Sequence, residues 1–320
     1  MNDYSFGFST VAPAGGLPFY GDASRYENKI LLSNNGLQGA GTINFLSASA
    51  ISKKLTFLPD STIGVAQFTN IGSEKGIAVP QVFSEAAFIS FLPKKQVLKA
   101  SAYKNVNLEM FENQCQLNGT VMLSKSGMNG MGQILFNDAV MNSRKYNFTY
   151  YDILSDTASF ALRNKYVTEG DAPLAIETDG VKSFVSFKDR KGEFNSFGSK
   201  RIKFPANVYY CTMDKFFWYM DGESVDFEKN QAKTTTFEAG ADLNEPNFFS
   251  MDDRQDSLRY RSLSAKYDLK TQTIFCNKVE YVQVGDAKIY PDSMKITIRL
   301  FAYSDFHTIW INLSIPYLNI

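Results

Sequence analysis

The chain has 320 residues, with 33 basic and 33 acidic side chains, so its formal net charge is zero. This balance argues against a nucleic-acid partner or an anionic membrane surface held by bulk electrostatics. The length suits two domains or one large β domain, and 27 Phe and 17 Tyr residues favour strands. The sequence contains no apolar run of the roughly 18 residues that a transmembrane segment needs.

The first residues, Met1-Asn2-Asp3, lack the positive and apolar regions of a signal peptide. The chain is therefore either cytoplasmic or a piece of a longer exported protein. We expect it to be a piece of a longer exported protein, because the sequence begins in irregular polar residues and stops within an apolar stretch. The expected location is then the cell envelope, in the periplasm or at the surface.

The segment 32–63 recurs 91 residues later as 123–154, without a gap. Self-similarity at a fixed spacing is typical of repeat architectures. Eleven of the 32 aligned positions are identical: Leu32/Leu123, Ser33/Ser124, Gly36/Gly127, Gly39/Gly130, Gly41/Gly132, Ile43/Ile134, Phe45/Phe136, Ala48/Ala139, Ser52/Ser143, Lys54/Lys145 and Phe57/Phe148.

The glycines of the repeat are too dense for a helix, where each costs about 1 kcal/mol relative to Ala. They suit turns with positive φ, or places where two backbones approach closely. Apolar and polar residues alternate after them, which predicts a glycine-rich corner followed by two strands. A phosphate-binding loop is the other interpretation. We reject it because neither a Lys-Ser/Thr pair nor a helical run follows. The six structural repeat glycines are Gly36, Gly39, Gly41, Gly127, Gly130 and Gly132.

Beyond the first repeat copy, segment 80–98 is the best helix candidate, and prolines bracket it. Its centre, 81–90, fits either one short helix or a pair of strands. After the second copy, segment 169–173 has turn chemistry and no side chain larger than Ala among its apolar residues. We place a boundary there, between a glycine-rich repeat region (1–168) and a second β region (169–320).

In the second region, 181–188 is a clear strand, 189–192 its turn and 193–197 its partner. The most aromatic stretch follows at 207–220. Segment 222–256 is acidic and polar, and we interpret it as a long loop or insertion.

The best-patterned part of the chain is 260–300. Short turns separate five predicted strands, at 265–268, 273–276, 279–284, 287–290 and 295–300. Together with the repeat, this ladder predicts an all-β chain with little helix and a repeat-built, extended architecture, either a β-solenoid or a folded-over β-jellyroll.

The strings 264–274, 279–281 and 286–290 read SAKYDLKTQTI, VEY and DAKIY. They resemble the OstA-type repeat of lipopolysaccharide-transport proteins from the Gram-negative envelope. The likeness covers about 30 residues, and Cys-Asn-Lys stands where that repeat often has a Gly turn. The chain also resembles long β-rich bacterial envelope proteins in its general sequence character. The resemblance implies an open-edged β structure that forms a groove, and it carries no catalytic residue.

The run Phe216-Phe217-Trp218-Tyr219 is the strongest candidate binding surface. On a strand, Phe216 and Trp218 would face one side while Phe217 and Tyr219 face the other. An exposed face could stack on sugar rings or acyl chains. The alternative is a central strand covered on both faces, as is usual for large apolar residues. We assign Phe216, Trp218 and Tyr219 as candidate binding residues.

Little in the sequence points to catalysis or metal binding. The single histidine, His307, disfavours a His-based triad or a multi-His site, and an ordinary histidine is the better interpretation. Cys115, Cys211 and Cys276 lie far apart in apolar runs, which predicts buried thiols rather than metal ligands or disulfides. The cluster Asp252, Asp253 and Asp256 lacks calcium-loop spacing, and adjacent residues on a strand would point apart. We expect a solvated polar loop there, and no metal or cofactor.

These observations predict a non-enzymatic structural or binding module of the bacterial envelope, which presents a β groove or spans distance. The expected partners are a lipid, a glycan or a neighbouring envelope protein. The alternatives are a polysaccharide-active β-helix enzyme that works with carboxylates, and a surface or tail-fibre adhesin. Exposed strand edges would allow any of them to pair with a neighbour.

Overall fold

A computed structural model describes residues 7–20, 24–166, 174–197, 200–230, 245–303 and 306–312, with side chains described up to residue 299. Regular structure in these segments is β-strand, apart from three single turns of 3₁₀ helix. The predicted all-β class with little helix is confirmed. The predicted boundary at 169–173 lies outside the described residues.

The chain forms two compact units. The first comprises residues 1–137 and 142–155, and the second comprises 138–141 and 156–320. Two strands, β11 (Ala139–Phe148) and β12 (Asp152–Arg163), contribute residues to both.

The first unit is an antiparallel meander with one branch, in which consecutive strands pair with each other except for β7 and β8. Its β6 pairs with both β7 and β8, which in turn pair with β9. The strands are β1 (Phe8–Pro18), β2 (Ser24–Ser33), β3 (Gly36–Phe45), β4 (Ala48–Leu58), β5 (Ser61–Asn70), β6 (Val82–Leu92), β7 (Val97–Ala102), β8 (Leu108–Met110), β9 (Cys115–Ser124) and β10 (Gly127–Phe136).

The meander curls so that one face becomes a core. Phe45 on β3 and Phe91 on β6 are three strands apart, which is about 14 Å in a flat sheet. Their ring centroids are nevertheless 5.2 Å apart, and both side chains are buried. Register shifts in β3/β4, β4/β5 and β5/β6 mark bulges, which allow this bending.

The helix candidate at 81–90 is neither a helix nor a pair of strands. It forms one strand, β6, followed by a 3₁₀ turn at Pro93–Lys95. Val82, Ser84, Ala87, Ile89 and Phe91 point into the core. Small residues and the flanking prolines concealed this period in the sequence.

The prediction of a glycine-rich corner in each repeat copy was wrong. The glycines lie within the first strand of each copy, β3 and β10. Only Gly36 and Gly127 flank the preceding hairpin turns, with φ of 88° and 122°. Gly39 leaves room for Tyr26 and Phe57, whose rings meet edge to face at 5.3 Å. At Gly130 an added Cβ would lie 2.6 Å from the Phe148 ring. Close approach, rather than a turn, therefore explains Gly39 and Gly130.

After β12, the second unit continues with a long strand, β13 (Leu174–Ser186), which forms a hairpin with β14 (Lys191–Ser196). The remaining strands are short: β15 (Ile202–Phe204), β16 (Tyr209–Cys211), β17 (Lys215–Tyr219), β18 (Ser224–Glu228), β19 (Phe248–Ser250), β20 (Arg259–Tyr260), β21 (Ser264–Asp268), β22 (Thr273–Asn277), β23 (Val282–Val284), β24 (Ala287–Ile289), β25 (Lys295–Tyr303) and β26 (Phe306–Asn312).

Strand pairing in this unit forms two antiparallel ladders that share β13. One ladder runs β13-β14-β17-β18-β21-β22-β25-β26. The other runs β13-β15-β16-β19-β20-β23-β24. The chain makes a hairpin in one ladder and then crosses to the other, so the sheet is folded over on itself.

The two ladders enclose one core. Phe204 on β15 lies 5.3 Å from Phe227 on β18 and 5.6 Å from Tyr267 on β21, measured between ring centroids. The Tyr260 hydroxyl lies 3.2 Å from Sγ of Cys276, which also joins the two ladders. Side chains fill the space between the layers.

All five strands predicted in 260–300 form, with small shifts at their ends. The supposed insertion at 222–256 is shorter than expected. Its flanks form β18 and β19, and residues 231–244 lie outside the described residues.

Candidate binding groove

The first unit carries a groove on the outer face of β4, β5 and β6, and it begins at a bulge around Ser52. This serine is buried. Its hydroxyl donates to the Val65 carbonyl at 2.6 Å, and it accepts from the Lys54 backbone amide at 3.1 Å. The register shifts on both sides of this point, between β3 and β4 and between β4 and β5. One hydroxyl thus fixes the position at which β4 bends.

The second copy of the repeat has the same local hydrogen bond, from the backbone amide of its lysine to the hydroxyl of its serine. The Lys145 amide donates to the Ser143 hydroxyl at 3.1 Å, and that hydroxyl lies 2.8 Å from the hydroxyl of Ser155. Ser52/Ser143 and Lys54/Lys145 are identical positions of the repeat. The Ser-x-Lys pattern is therefore visible in the sequence of both copies, but the partner of its serine hydroxyl differs between them.

The groove has a volume of about 710 Å³, within the range of small-molecule sites. It is bounded by the bulge on one side and by β6 on the other. Its lining residues are Ile51, Ser52, Lys53, Lys54, Thr56, Ile63, Gly64, Val65, Ala66, Gln67, Glu85 and Phe88.

The floor of the groove is apolar and open to solvent. Lys54, Val65 and Phe88 are cross-strand partners on β4, β5 and β6, so they form one row on one face of the sheet. Ile51, Val65 and Phe88 are 52%, 37% and 39% exposed. Apolar side chains that sit together in a depression are a feature of binding surfaces.

Two lysines stand at the rim beside this floor. Lys53 and Lys54 follow the bulge residue, and both are exposed. Neither forms an ion pair with a carboxylate of the described residues, although Glu85 also lines the groove. An apolar floor with free cations at its edge is chemically suited to an amphiphile that carries an anionic group.

The structure divides the predicted aromatic site between a core and a surface. Phe216 and Trp218 are buried in the second unit. The Phe216 ring stacks on Phe194 at 4.6 Å, and Phe160 lies 5.9 Å from Trp218. Phe216 and Trp218 therefore lie on the covered face of β17.

The opposite face of β17 is accessible. Tyr219 is 40% exposed, and Phe217 lies beside it on the same face. The Lys191 ammonium lies 4.2 Å from the Phe217 centroid, and the Lys215 ammonium lies 4.5 Å from it. Lys215 also pairs with Glu193 at 2.7 Å, which holds the pKa of that carboxyl below its usual value. Of the three candidate binding residues, Tyr219 is the one that a ligand could reach.

A second cavity, of about 440 Å³, lies in the second unit. Arg261, Leu263, Lys278, Glu280, Tyr281 and Met294 line it. The Tyr281 ring is 6.0 Å from that of the exposed Tyr290, and the Lys288 ammonium lies 4.3 Å from the Tyr281 centroid. Sequence analysis did not select these residues, because they follow different strands.

The acidic cluster has structural roles. Asp252 accepts hydrogen bonds from the Arg254 backbone amide (3.0 Å) and guanidinium (2.9 and 2.8 Å), which caps a 3₁₀ turn at Asp253–Gln255. The Arg254 hydrogen bond lowers the pKa of Asp252. A general acid in glycoside cleavage needs the opposite shift.

The three cysteines are free and buried, as their apolar surroundings predict. Burial raises the pKa of each thiol, and that of Cys276 reaches about 12. A protonated, enclosed thiol is a poor nucleophile and metal ligand. The described residues contain no cluster of three His, Cys, Asp or Glu side chains that could hold a metal ion. The side chain of His307 lies outside the described part.

Comparisons of this chain with family models, curated proteins and solved structures give no match. None of the described helical segments has the length and apolar character needed to cross a membrane.

Proposed function

We propose that this chain is a non-enzymatic binding module of the bacterial cell envelope that holds an anionic amphiphile in the groove on β4–β6. The observation that carries the proposal is the row of Val65 and Phe88 beside Lys53 and Lys54. An acyl chain would cover the exposed apolar floor, and its charged group would meet the lysines. Envelope lipids combine these two chemical features.

The module's own residues support binding rather than turnover. The thiols are buried, Asp252 is engaged by Arg254, and the interior of each unit is packed with side chains. The ligand would therefore lie on the outer face of the sheet. The OstA-type resemblance agrees with a lipid ligand. Because side chains fill the interior of each unit, we propose that the ligand binds on the outer face of the sheet rather than between the layers.

The test is calorimetric titration with dodecyl phosphate, and with uncharged dodecyl maltoside as a comparison, both below their micelle concentrations. Val65→Asp should weaken binding of both by at least about tenfold, or roughly 1.4 kcal/mol. Lys53→Ala/Lys54→Ala should weaken only dodecyl phosphate. The expected factor is about 1.4 to 5 per lysine, because exposed charge pairs contribute about 0.2–1 kcal/mol.

The matched control is Met131→Asp, at a strand position of similar exposure (42%) outside the groove. It should bind like the wild type. Equal affinities in Val65→Asp and Met131→Asp, or no binding of dodecyl phosphate by the wild type, would refute the proposal.

A surface adhesin is the second candidate, and the cavity beside Tyr281 favours it. Tyr281 and Tyr290 offer ring faces for stacking on sugars, and Arg261, Lys278 and Lys288 supply positive charge. Tyr290→Ala would then reduce retention on an acidic-glycan array and leave dodecyl phosphate binding unchanged.

A further inference from the structure

One end of the first unit exposes apolar side chains that point toward its inner face. Phe8 on β1, Leu32 on β2 and Leu37 on β3 are cross-strand partners, so they form a single row. They are 80%, 49% and 40% exposed. Isolated exposed apolar residues are ordinary, but a contiguous row is characteristic of an interaction surface.

The internal repeat supplies a reference for this row. In the second copy, the corresponding positions of Leu32 and Leu37 are Leu123 and Met128, and Leu98 is the partner of Leu123 on the preceding strand. These three side chains are at most 2% exposed. The same structural position is therefore covered in one copy and open in the other.

Strand pairing shows what the first copy lacks. In the second copy, β7 pairs with β9 on one edge and with β6 on the other, where Phe91 lies opposite Leu98 and continues the row. The equivalent strand β1 pairs with β2 alone among the described residues. In the described part of the chain, no antiparallel strand lies along the other edge of β1, which is called the free edge below.

The free edge also lacks the usual protection. Exposed edge strands are normally short or carry charges that prevent pairing. An example in this chain is β24, which is three residues long and contains Lys288. By contrast, β1 spans 11 residues without a charged side chain, and its first proline is Pro13. Residues 8–12 therefore offer five uninterrupted positions for pairing.

We propose that this edge binds the β1 strand of a second copy of the chain, in antiparallel orientation about a two-fold axis. A strand that carries no charge meets no like-charge repulsion when it pairs with itself. Antiparallel self-pairing is isologous, so the assembly closes as a dimer. The side chains of Phe8, Leu32 and Leu37 from both copies would then lie on the same face of the joined sheet. This inference does not depend on a ligand in the groove.

The first test is sedimentation velocity over a range of protein concentrations, with dodecyl phosphate absent. The wild type should show a monomer–dimer equilibrium. Phe8→Lys and Val11→Lys each add a charge to the pairing edge, which is the usual protection of an exposed edge strand, so each should raise the dimer dissociation constant at least about tenfold. Met131→Lys is the control, and it should dimerise like the wild type.

The second test reads the joint directly. Centring the pair on Thr10 would place its Cα within disulfide range of its copy, about 4.5–5.5 Å away. Thr10→Cys should therefore yield a covalent dimer on mild oxidation, whereas Ser126→Cys, in an exposed turn, should not. The native cysteines are buried and should not interfere. A wild type that stays monomeric up to about 100 µM, or a dimer that persists in both lysine variants, would overturn the inference.

Discussion

Ser52 is the residue on which the shape of the groove depends. Its hydroxyl joins the bulge of β4 to the Val65 carbonyl of β5, in a place where the side chain is buried. Removal of this hydroxyl would leave a carbonyl and an amide without their partner. Buried polar groups that lose a hydrogen bond are costly, so the bulge should be sensitive to a change of one atom.

Ser52→Ala should therefore lower the free energy of unfolding by about 1–3 kcal/mol. Ser49→Ala, on the same strand and with a half-buried side chain, should change it by no more than about 0.5 kcal/mol. Urea titrations of the two variants measure the difference. If both variants unfold at the same urea concentration, the hydrogen bond to Val65 does not stabilise the bulge.

At the scale of elements, β17 shows how alternation sorts four consecutive aromatic residues. Phe216 and Trp218 pack among Phe160, Phe194 and Phe227. Phe217 and Tyr219 face outward, where Lys191 and Lys215 lie beside the Phe217 ring. The second unit depends on this strand because its core is assembled from short strands of both ladders.

Phe216→Ala should destabilise the second unit by about 3–5 kcal/mol, the usual loss for a buried phenylalanine. Phe217→Ala, one position along, should cost about 1 kcal/mol or less, because it loses surface contacts and cation–π interactions only. Thermal unfolding followed by near-ultraviolet circular dichroism compares the two. A larger loss for Phe217→Ala would mean that the facing of β17 is reversed.

Some of these strands could be predicted from sequence patterns and others could not. The ladder in 260–300 was predictable because strict alternation and short turns leave few other structures. The glycines at 39, 41, 130 and 132 were misplaced because strand glycines and turn glycines look alike without their neighbours. The groove was not predictable, since Val65 and Phe88 become neighbours only through the register of β5 with β6. Ser-x-Lys was visible in both repeat copies, but its bulge depends on a distant carbonyl.

At the scale of the whole molecule, many ionisable groups are buried in their neutral form. They include the three thiols, and the hydroxyls of Tyr146, Tyr209, Tyr260 and Tyr267, and burial raises the pKa of each. The unfolded chain would release these protons near pH 8.5 for Cys and pH 10 for Tyr. The folded chain retains them to higher pH.

Stability should therefore be complete below about pH 8 and decline as the pH rises above it, by about 1.4 kcal/mol per pH unit for each additional proton that the folded state holds. Urea unfolding at pH 7.5, 9.0 and 10.5 measures this decline. The pH 10.5 sample should have the lowest midpoint. A midpoint that does not change over this interval would contradict burial of the thiols and phenols.

We propose that the groove on β4–β6 holds an envelope amphiphile. The most direct measurement is mass spectrometry of organic extracts from protein purified out of a bacterial envelope fraction. We predict acyl lipid in near-stoichiometric amounts from the wild type and from Met131→Asp, and a loss of most of it from Val65→Asp. Extracts in which the wild type carries no more lipid than Val65→Asp would contradict the claim.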